Sequence, residues 1–162
     1  IPNLGFCLSN RGQMFWLDEN SPACIGPKRR PRTTLSPSLA LKDGMPHMVF
    51  GTPGGDQQDQ WSLHLFLRHV HFGLNLQEAI DAPGFSTAHF PNSFYPRETD
   101  IGHLAIEGRF PKETIDELIK KGHKVIIDDD WSLGRMTAAS KDNEILKAAA
   151  NPRFMQGYAI GR

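Results

Sequence analysis

The stretch Met48-Val-Phe-Gly-Thr-Pro-Gly-Gly-Asp-Gln-Gln-Asp-Gln-Trp61 runs from an apolar segment through a glycine turn into a long amphipathic segment. This order predicts a strand, a turn and a helix in direct succession. The first N–H groups of a helix have no partner inside the helix, and glycines let an anion approach that backbone closely. The turn at Gly51–Gly55 is therefore either a plain hinge or an anion site, and the residues alone leave both open.

The type of anion can be narrowed. A nucleotide phosphate is disfavoured, because Gly54-Gly55-Asp56-Gln57 has neither GxGxxG spacing nor a following Lys-Ser/Thr pair. The other anion that backbone N–H groups commonly face is the oxyanion of a tetrahedral intermediate in acyl transfer. An acyl-transfer site is thus the functional alternative to a hinge.

The segments around this stretch predict a fold of the α+β class. A hairpin is indicated over 34–41 and 46–50, with Lys42-Asp43-Gly44 as its turn. The remaining predicted elements are helices at 56–72, 76–82 and 111–122 and strands at 4–8, 103–106, 123–127, 136–140 and 145–150. Helices and strands do not alternate regularly, so a βαβ repeat is disfavoured. A chain of 162 residues is expected to form one domain, residues 1–162.

Composition excludes several function classes. Lys plus Arg equals Asp plus Glu at 18 each, which disfavours a nucleic-acid or membrane-surface partner. No apolar run is long enough for a membrane span, so we expect a soluble protein, cytoplasmic rather than periplasmic or secreted. Cys7 and Cys24 are expected to be free thiols. The opening Ile1-Pro-Asn-Leu4, without an initiator Met, indicates a piece of a longer chain.

The basic segment Lys28-Arg-Arg-Pro-Arg-Thr-Thr-Leu-Ser-Pro37 is a second candidate site. Arginine forms paired charge-assisted hydrogen bonds with a carboxylate, and threonine hydroxyls add directional donors. A solvated basic loop is the alternative. A nucleic-acid patch is poorly supported, because no aromatic residues are interleaved with the basic ones.

The histidines and acidic residues give no metal signature. His64, His69 and His71 lie along one predicted helix without an HExxH pattern, so surface positions are expected for them. Asp128-Asp-Asp130 lacks the EF-hand spacing and fits a polar loop. We therefore predict no metal and no cofactor.

Five stretches in order carry a family resemblance. They are Gly5-Phe-Cys-Leu-Ser-Asn-Arg-Gly12, Pro27–Pro37, Gly51–Gly55, Gly73-Leu-Asn-Leu-Gln-Glu-Ala-Ile-Asp-Ala-Pro83, and Asn151-Pro-Arg153 with Gly157-Tyr158. Together they resemble the C-terminal part of the small subunit of the γ-glutamyltransferase family. Asn10-Arg11-Gly12 and Gly54-Gly-Asp-Gln57 resemble its acylase-like branch.

The resemblance implies an αββα sandwich of the N-terminal-nucleophile hydrolase type. In that family a precursor cleaves itself, and a new N-terminal Thr, with its own α-amine as base, attacks a γ-glutamyl amide. By this resemblance Gly54 and Gly55 match the oxyanion glycines. Thr33 and Thr34 match the hydroxyl pair that binds the substrate carboxylate.

Two departures from the family pattern matter. The nucleophilic Thr is expected upstream of Gly5 and outside this chain, so the chain alone is expected to be inactive. Where transpeptidases have Asn-Asn-Gln-Met-Asp-Asp-Phe, this chain has Ser9-Asn-Arg-Gly-Gln-Met-Phe15, so Arg11 replaces Gln and Met14 replaces Asp. A thioether does not hold an ammonium, and Arg11 is expected to bind an acidic acyl group directly.

The resulting prediction is an amide hydrolase or acyl transferase that passes a γ-glutamyl or related acyl group to water or an amine. One alternative is a true γ-glutamyl transpeptidase acting on glutathione, and another is a non-catalytic carboxylate-binding or scaffold domain. The expected partners are a small acyl amide and the large subunit of the same precursor. Unpaired strand edges near 4–8 also predict self-association.

Overall fold

The computed structural model describes residues 1–155 and 157–161, and it confirms the α+β class. Within those residues the elements are, in order, β1 (Ser38–Lys42), β2 (Met45–Gly51), α1 (Gln58–Val70), α2 (Leu76–Asp81), β3 (Phe85–Thr87), β4 (His103–Glu107), α3 (Lys112–Lys120), β5 (Lys124–Asp128), β6 (Thr137–Asp142) and β7 (Ile145–Ala150). An antiparallel sheet has the order β1-β2-β6-β7. A smaller sheet, β3-β4-β5, has β4 and β5 parallel.

The main core lies between one face of the four-stranded sheet and helices α1 and α2. Met48, Ala138 and Ala149 of the sheet meet Leu65 and Leu76 of the helices in this cluster. Successive strand residues point to opposite faces, so every second residue of β2 is directed inward. Helix α2 begins with a capping box, in which the Asn75 and Glu78 side chains each accept a hydrogen bond from the other's backbone N–H.

The opposite face of the four-stranded sheet is apolar and exposed in the described part of the chain. Leu39 pairs with Val49, Val49 with Ala139, and Ala139 with Ala148, so their side chains form a row across all four strands. Leu39 and Val49 are among the exposed large hydrophobic residues. Contiguous apolar surface of this kind marks an interaction face.

The predicted strand at 4–8 is wrong. Asn3 and Gly5 have φ angles of 67° and 71°, which belong to turns and not to extended backbone. Leu4 and Leu8 are 60% and 79% exposed, and no strand of the described residues pairs with this segment. An apolar run becomes a strand only when another strand completes its hydrogen bonds.

The other predicted elements are confirmed, apart from one start point and one omission. The strand expected over 34–41 begins at Ser38, after the Ser36-Pro37 step. Strand β3 was not predicted. On one side β3 pairs with β4. At the other edge of β3, the Gln60 side chain donates to Thr87 O at 3.0 Å and accepts from Thr87 N at 2.8 Å.

Within the described residues, no helix combines the length and apolar character needed to cross a bilayer. Cys7 and Cys24 are free thiols. The cytoplasmic location, the single domain over residues 1–162 and self-association stay predictions.

His64 is less exposed than expected and is only partly accessible to solvent. Its ring stacks on Phe85 with 3.9 Å between the ring centroids. Burial, reinforced by the positive charge of Arg68, lowers the pKa of His64 from 6.5 to about 4. The folded state therefore holds a neutral imidazole at neutral pH.

This burial predicts an acid sensitivity of the fold. Because the folded pKa lies below the unfolded one, stability from His64 is full above pH 6.5 and is lost as the pH falls toward 4. By linkage the loss between pH 7.5 and 5 is up to about 2 kcal/mol. Urea unfolding of the complete protein at the two pH values measures it, and a His64→Phe variant should lose markedly less. An equal loss in both proteins would contradict the assignment to His64.

Candidate active site

The glycine turn has a backbone that only glycine adopts readily. Gly54 has φ 150° and ψ 19°, and Gly55 has φ 62°. A 3-10 turn, Gly55–Gln57, then leads directly into α1. The N–H groups of Gly54 and Gly55 donate no hydrogen bond to any residue within 1–155 and 157–161. The turn thus presents two free donors at the start of a helix, where negative charge is favoured.

The Arg11 side chain meets the threonine pair. Arg11 begins a 3-10 turn, Arg11–Met14, and its Nη1 donates to Thr34 Oγ1 at 3.3 Å. Thr34 is only 7% exposed, whereas Thr33 is exposed and its hydroxyl accepts from Leu35 N at 3.1 Å. Of the two predicted threonines, Thr34 therefore faces the guanidinium, and Thr33 bonds to its own turn.

The guanidinium of Arg11 carries a charge that the described residues do not neutralise. No carboxylate of residues 1–155 and 157–161 forms an ion pair with it. Its other neighbour is the Met14 sulfur, 4.0 Å from Nη1, and Met14 is 1% exposed. The local chemistry therefore suits an anion and offers no counter-charge to an ammonium.

The threonine segment runs beside the glycine turn. Arg32 Nη2 lies 3.8 Å from the Asp56 carboxylate, and Ser36 Oγ lies 3.5 Å from Gln58 Oε1. Asp56 follows Gly55 directly in the sequence. The segment that contains Thr33 and Thr34 therefore lies next to the turn that contains Gly54 and Gly55.

Three further residues next to the glycine turn and the Arg11 turn were given no role by the sequence analysis. Asp56 accepts from Ser93 N at 2.8 Å and from the Ser93 hydroxyl. Arg97 donates to Ser93 O at 2.8 Å and to Phe15 O at 2.7 Å. The loop that contains Ser93 and Arg97 has no periodic pattern, so the sequence gives no signal for these two residues. Asp56 could have been found from its position directly after the glycines.

The described residues show no metal centre. No three His, Cys, Asp or Glu side chains come together as ligands in the part of the chain that the structure covers. Apart from the Asp56 carboxylate, which accepts from Ser93, the polar groups around these turns are guanidinium, hydroxyl and backbone N–H groups, which favour anions. The arrangement can bind a carboxylate and stabilise a developing oxyanion nearby.

Comparison with known proteins decides the family. Residues 1–161 match the family described as Gamma-glutamyltranspeptidase. The chain belongs to this family. A glutathione hydrolase-like YwrD proenzyme of Bacillus subtilis is 34% identical over 97% of the chain and 29% of its own length. An oxamate amidohydrolase proenzyme of Klebsiella pneumoniae is 34% identical over 99% of the chain and 30% of its own length.

Solved structures of the family and its relatives share the fold. A structure of LmbA2991 is 54% identical with a TM-score of 0.89, and it covers 99% of this chain and 29% of its own. Cephalosporin acylase from Bacillus halodurans is 29% identical with a TM-score of 0.76, over 89% of this chain and 25% of its own. These family members are N-terminal-nucleophile hydrolases, and the α+β fold of this chain is part of the αββα sandwich of that class. The chain spans under a third of the length of these relatives.

Proposed function

We propose that this chain supplies the carboxylate-binding and oxyanion-binding side of an amide hydrolase or acyl transferase of the γ-glutamyltranspeptidase type. The observation that carries the proposal is the 3.3 Å contact between Arg11 and the buried Thr34, with no carboxylate paired to Arg11 in the described residues. A carboxylate of the acyl group would form an ion pair with Arg11 and accept a hydrogen bond from the Thr34 hydroxyl.

The reaction needs a nucleophile from elsewhere in the precursor. The hydroxyl oxygen of an N-terminal Thr attacks the amide carbonyl carbon, and the α-amine of that Thr takes the proton. The N–H groups of Gly54 and Gly55 hold the oxyanion. The C–N bond then breaks, the leaving amine takes the proton, and water or a second amine releases the acyl group from the ester. Residues 1–162 alone are expected to be inactive.

The named relatives support this substrate class. The Klebsiella pneumoniae relative is an oxamate amidohydrolase, and oxamate carries an amide and a carboxylate without an α-amino group. Met14 likewise offers a thioether, and no carboxylate for an α-ammonium, next to Arg11. Both observations favour acyl groups recognised by their carboxylate over γ-glutamyl groups recognised by their amine.

The partner that fits the open sheet face is the remaining part of the same precursor. Leu39, Val49, Ala139 and Ala148 form an apolar row there, and a second sheet would cover such a row in a sandwich. The curated relatives are proenzymes more than three times the length that this chain matches. Docking of this sheet face against the rest of the precursor is part of the proposed function.

The role of Arg11 can be tested by substrate comparison in the complete, processed protein. Wild type should cleave a glutaryl anilide at least as fast as the γ-glutamyl anilide. An Arg11→Met variant should lose about 10- to 100-fold in kcat/KM on the glutaryl substrate, the usual effect of a charge-assisted hydrogen bond. Turnover of a butyryl anilide, which has no carboxylate, should stay unchanged as an internal control. Strong preference of the wild type for the γ-glutamyl substrate would favour the transpeptidase alternative.

A further inference from the structure

We propose that Arg97 is a positioning residue that fixes the separation between the Arg11 turn and the glycine turn, and so selects the length of the acyl group. This inference rests on the proposed function. Arg97 is 86 positions away from Arg11 in the chain, and its side chain donates to Ser93 O and Phe15 O and to neither Arg11 nor the glycines within the described residues. It acts through the residues that hold those two turns.

On one side, Arg97 holds the turn that carries Arg11. Its Nη2 donates to Phe15 O at 2.7 Å, and its guanidinium lies 4.7 Å from the centroid of the Trp16 ring. Phe15 closes the 3-10 turn by donating its N–H to Gly12 O at 3.2 Å. The end of the Arg11 turn is therefore fixed by a hydrogen bond and a cation–π contact together.

On the other side, Arg97 holds the residue that anchors the glycine turn. Its Nη1 donates to Ser93 O at 2.8 Å. Ser93 is 1% exposed and gives both its N–H and its hydroxyl to the carboxylate of Asp56. Because Asp56 is bonded covalently to Gly55, the position of Ser93 sets the position of the turn.

The loop that presents Arg97 is itself held by short-range hydrogen bonds. Asn92 N donates to Glu98 O at 2.9 Å, Arg97 N to Phe94 O at 2.8 Å, and Phe94 N to Asn92 Oδ1 at 2.8 Å. The planar guanidinium reaches two carbonyls and an aromatic ring at once, and a lysine ammonium does not reproduce that geometry. One side chain thus bridges the two halves of the site.

A fixed bridge makes acyl length a selection criterion. An acyl group must place its carboxylate at Arg11 and its reacting carbonyl at Gly54 and Gly55 simultaneously. Misplacement of a reacting group by about 1 Å lowers the rate by about 100-fold. A rigid separation therefore favours one number of methylenes, and a loosened separation accepts several.

The experiment compares malonyl, succinyl, glutaryl and adipyl anilides as substrates of the complete, processed protein. Wild type should show one preferred length, with kcat/KM at least about 10-fold above its neighbours. Arg97→Lys should flatten the profile to within about 3-fold, because the distance between the two turns is then no longer fixed. Arg135→Lys, which alters an arginine stacked 4.5 Å from the Phe154 ring centroid, should keep the wild-type profile.

A second variant guards against a folding defect. Ser93→Ala removes only the hydroxyl contact to Asp56, keeps the backbone contact, and should also flatten the profile. A uniform loss on all four substrates with an unchanged profile, in both variants, would overturn the proposal and leave Arg97 a structural residue. A flat wild-type profile would overturn it while the proposed function stands. Absence of any turnover by the wild type would overturn both.

Discussion

Replacing Glu107 with glutamine is expected to lower the free energy of unfolding by about 3 to 5 kcal/mol, the usual effect of removing one partner from a buried ion pair. Glu107 is 0% exposed and accepts from Arg153 Nε at 2.6 Å, from Arg153 Nη2 at 2.8 Å and from Arg109 Nη2 at 2.7 Å. Glutamine removes the charge and places an NH₂ donor against these donors. Arg153, itself 3% exposed, is then left as a buried cation without its counter-charge.

The same carboxylate joins separate parts of the chain. It accepts from Gly84 N at 2.8 Å and from Leu133 N at 3.0 Å, at the end of β4. Arg153 in turn donates to Ile80 O at 2.8 Å and Ala82 O at 3.2 Å, at the end of α2. Loss of Glu107 therefore loosens the contact between the small sheet, α2 and the C-terminal segment together.

The effect of this substitution should depend on pH. Burial raises the pKa of Glu107, but the hydrogen bonds from Arg153, Gly84, Leu133 and Arg109 outweigh it and lower the pKa from 4.5 to about 2. Because the pKa of Glu107 is lower in the folded state than in the unfolded state, its contribution to the free energy of unfolding is full above pH 4.5 and is lost as the pH falls toward 2. The stability difference between wild type and variant should thus shrink between pH 7 and pH 3.

Chemical unfolding of the complete protein at the two pH values measures this difference. Glu117→Gln is a matched control, because Glu117 is an exposed carboxylate on α3. It should change the unfolding free energy by less than about 0.5 kcal/mol. A loss below about 1 kcal/mol for Glu107→Gln at pH 7 would contradict the role given to the buried pair.

The sequence predicted those elements whose signals are local. The hairpin around Asp43-Gly44 and the helix α3, with Pro111 before it and Gly122 after it, carry their start and stop residues within the segment. The strand expected at 4–8 and the missed strand β3 both depend on distant partners. For β3 the partners are β4 and the Gln60 side chain, and the residues Phe85–Thr87 alone do not predict either of them.

In the candidate site, too, the sequence predicts the local features and does not predict the contacts between distant residues. The glycine turn could be predicted because free N–H groups at a helix start are a local property, and the resemblance to a family grouped Arg11 with Thr33 and Thr34, of which Thr34 contacts the guanidinium. The contact between Asp56 and Ser93 spans 37 positions and joins a turn to an irregular loop. Neither periodicity nor composition depends on such a contact, so the sequence does not predict it.

Replacing Gly54 with alanine is expected to lower kcat by about 10²- to 10³-fold, the usual effect of losing one oxyanion donor. An added Cβ would lie 2.3 Å from Trp61 Cζ3, and the φ of 150° is one that residues with a side chain rarely adopt. Trp61 is held by its indole N–H, which donates to Phe85 O at 3.1 Å. The turn must therefore move, and the Gly54 N–H moves with it.

Gly55→Ala is the matched comparison, measured like Gly54→Ala in the complete, processed protein. Its Cβ would meet Phe94 at 3.6 Å and Gln57 Oε1 at 4.0 Å, both ordinary contact distances, so the expected effect is limited to the strain of a positive φ, about 1 to 2 kcal/mol. Trp61→Phe in the Gly54→Ala background removes the ring atom that clashes and should restore part of the activity.

Measuring both kcat and the folded fraction of Gly54→Ala distinguishes a hinge from an oxyanion site. If the turn is a plain hinge, the substitution lowers the folded fraction while each folded molecule keeps its kcat. Normal kcat in the folded Gly54→Ala protein would make the turn a hinge and exclude Gly54 as an oxyanion donor.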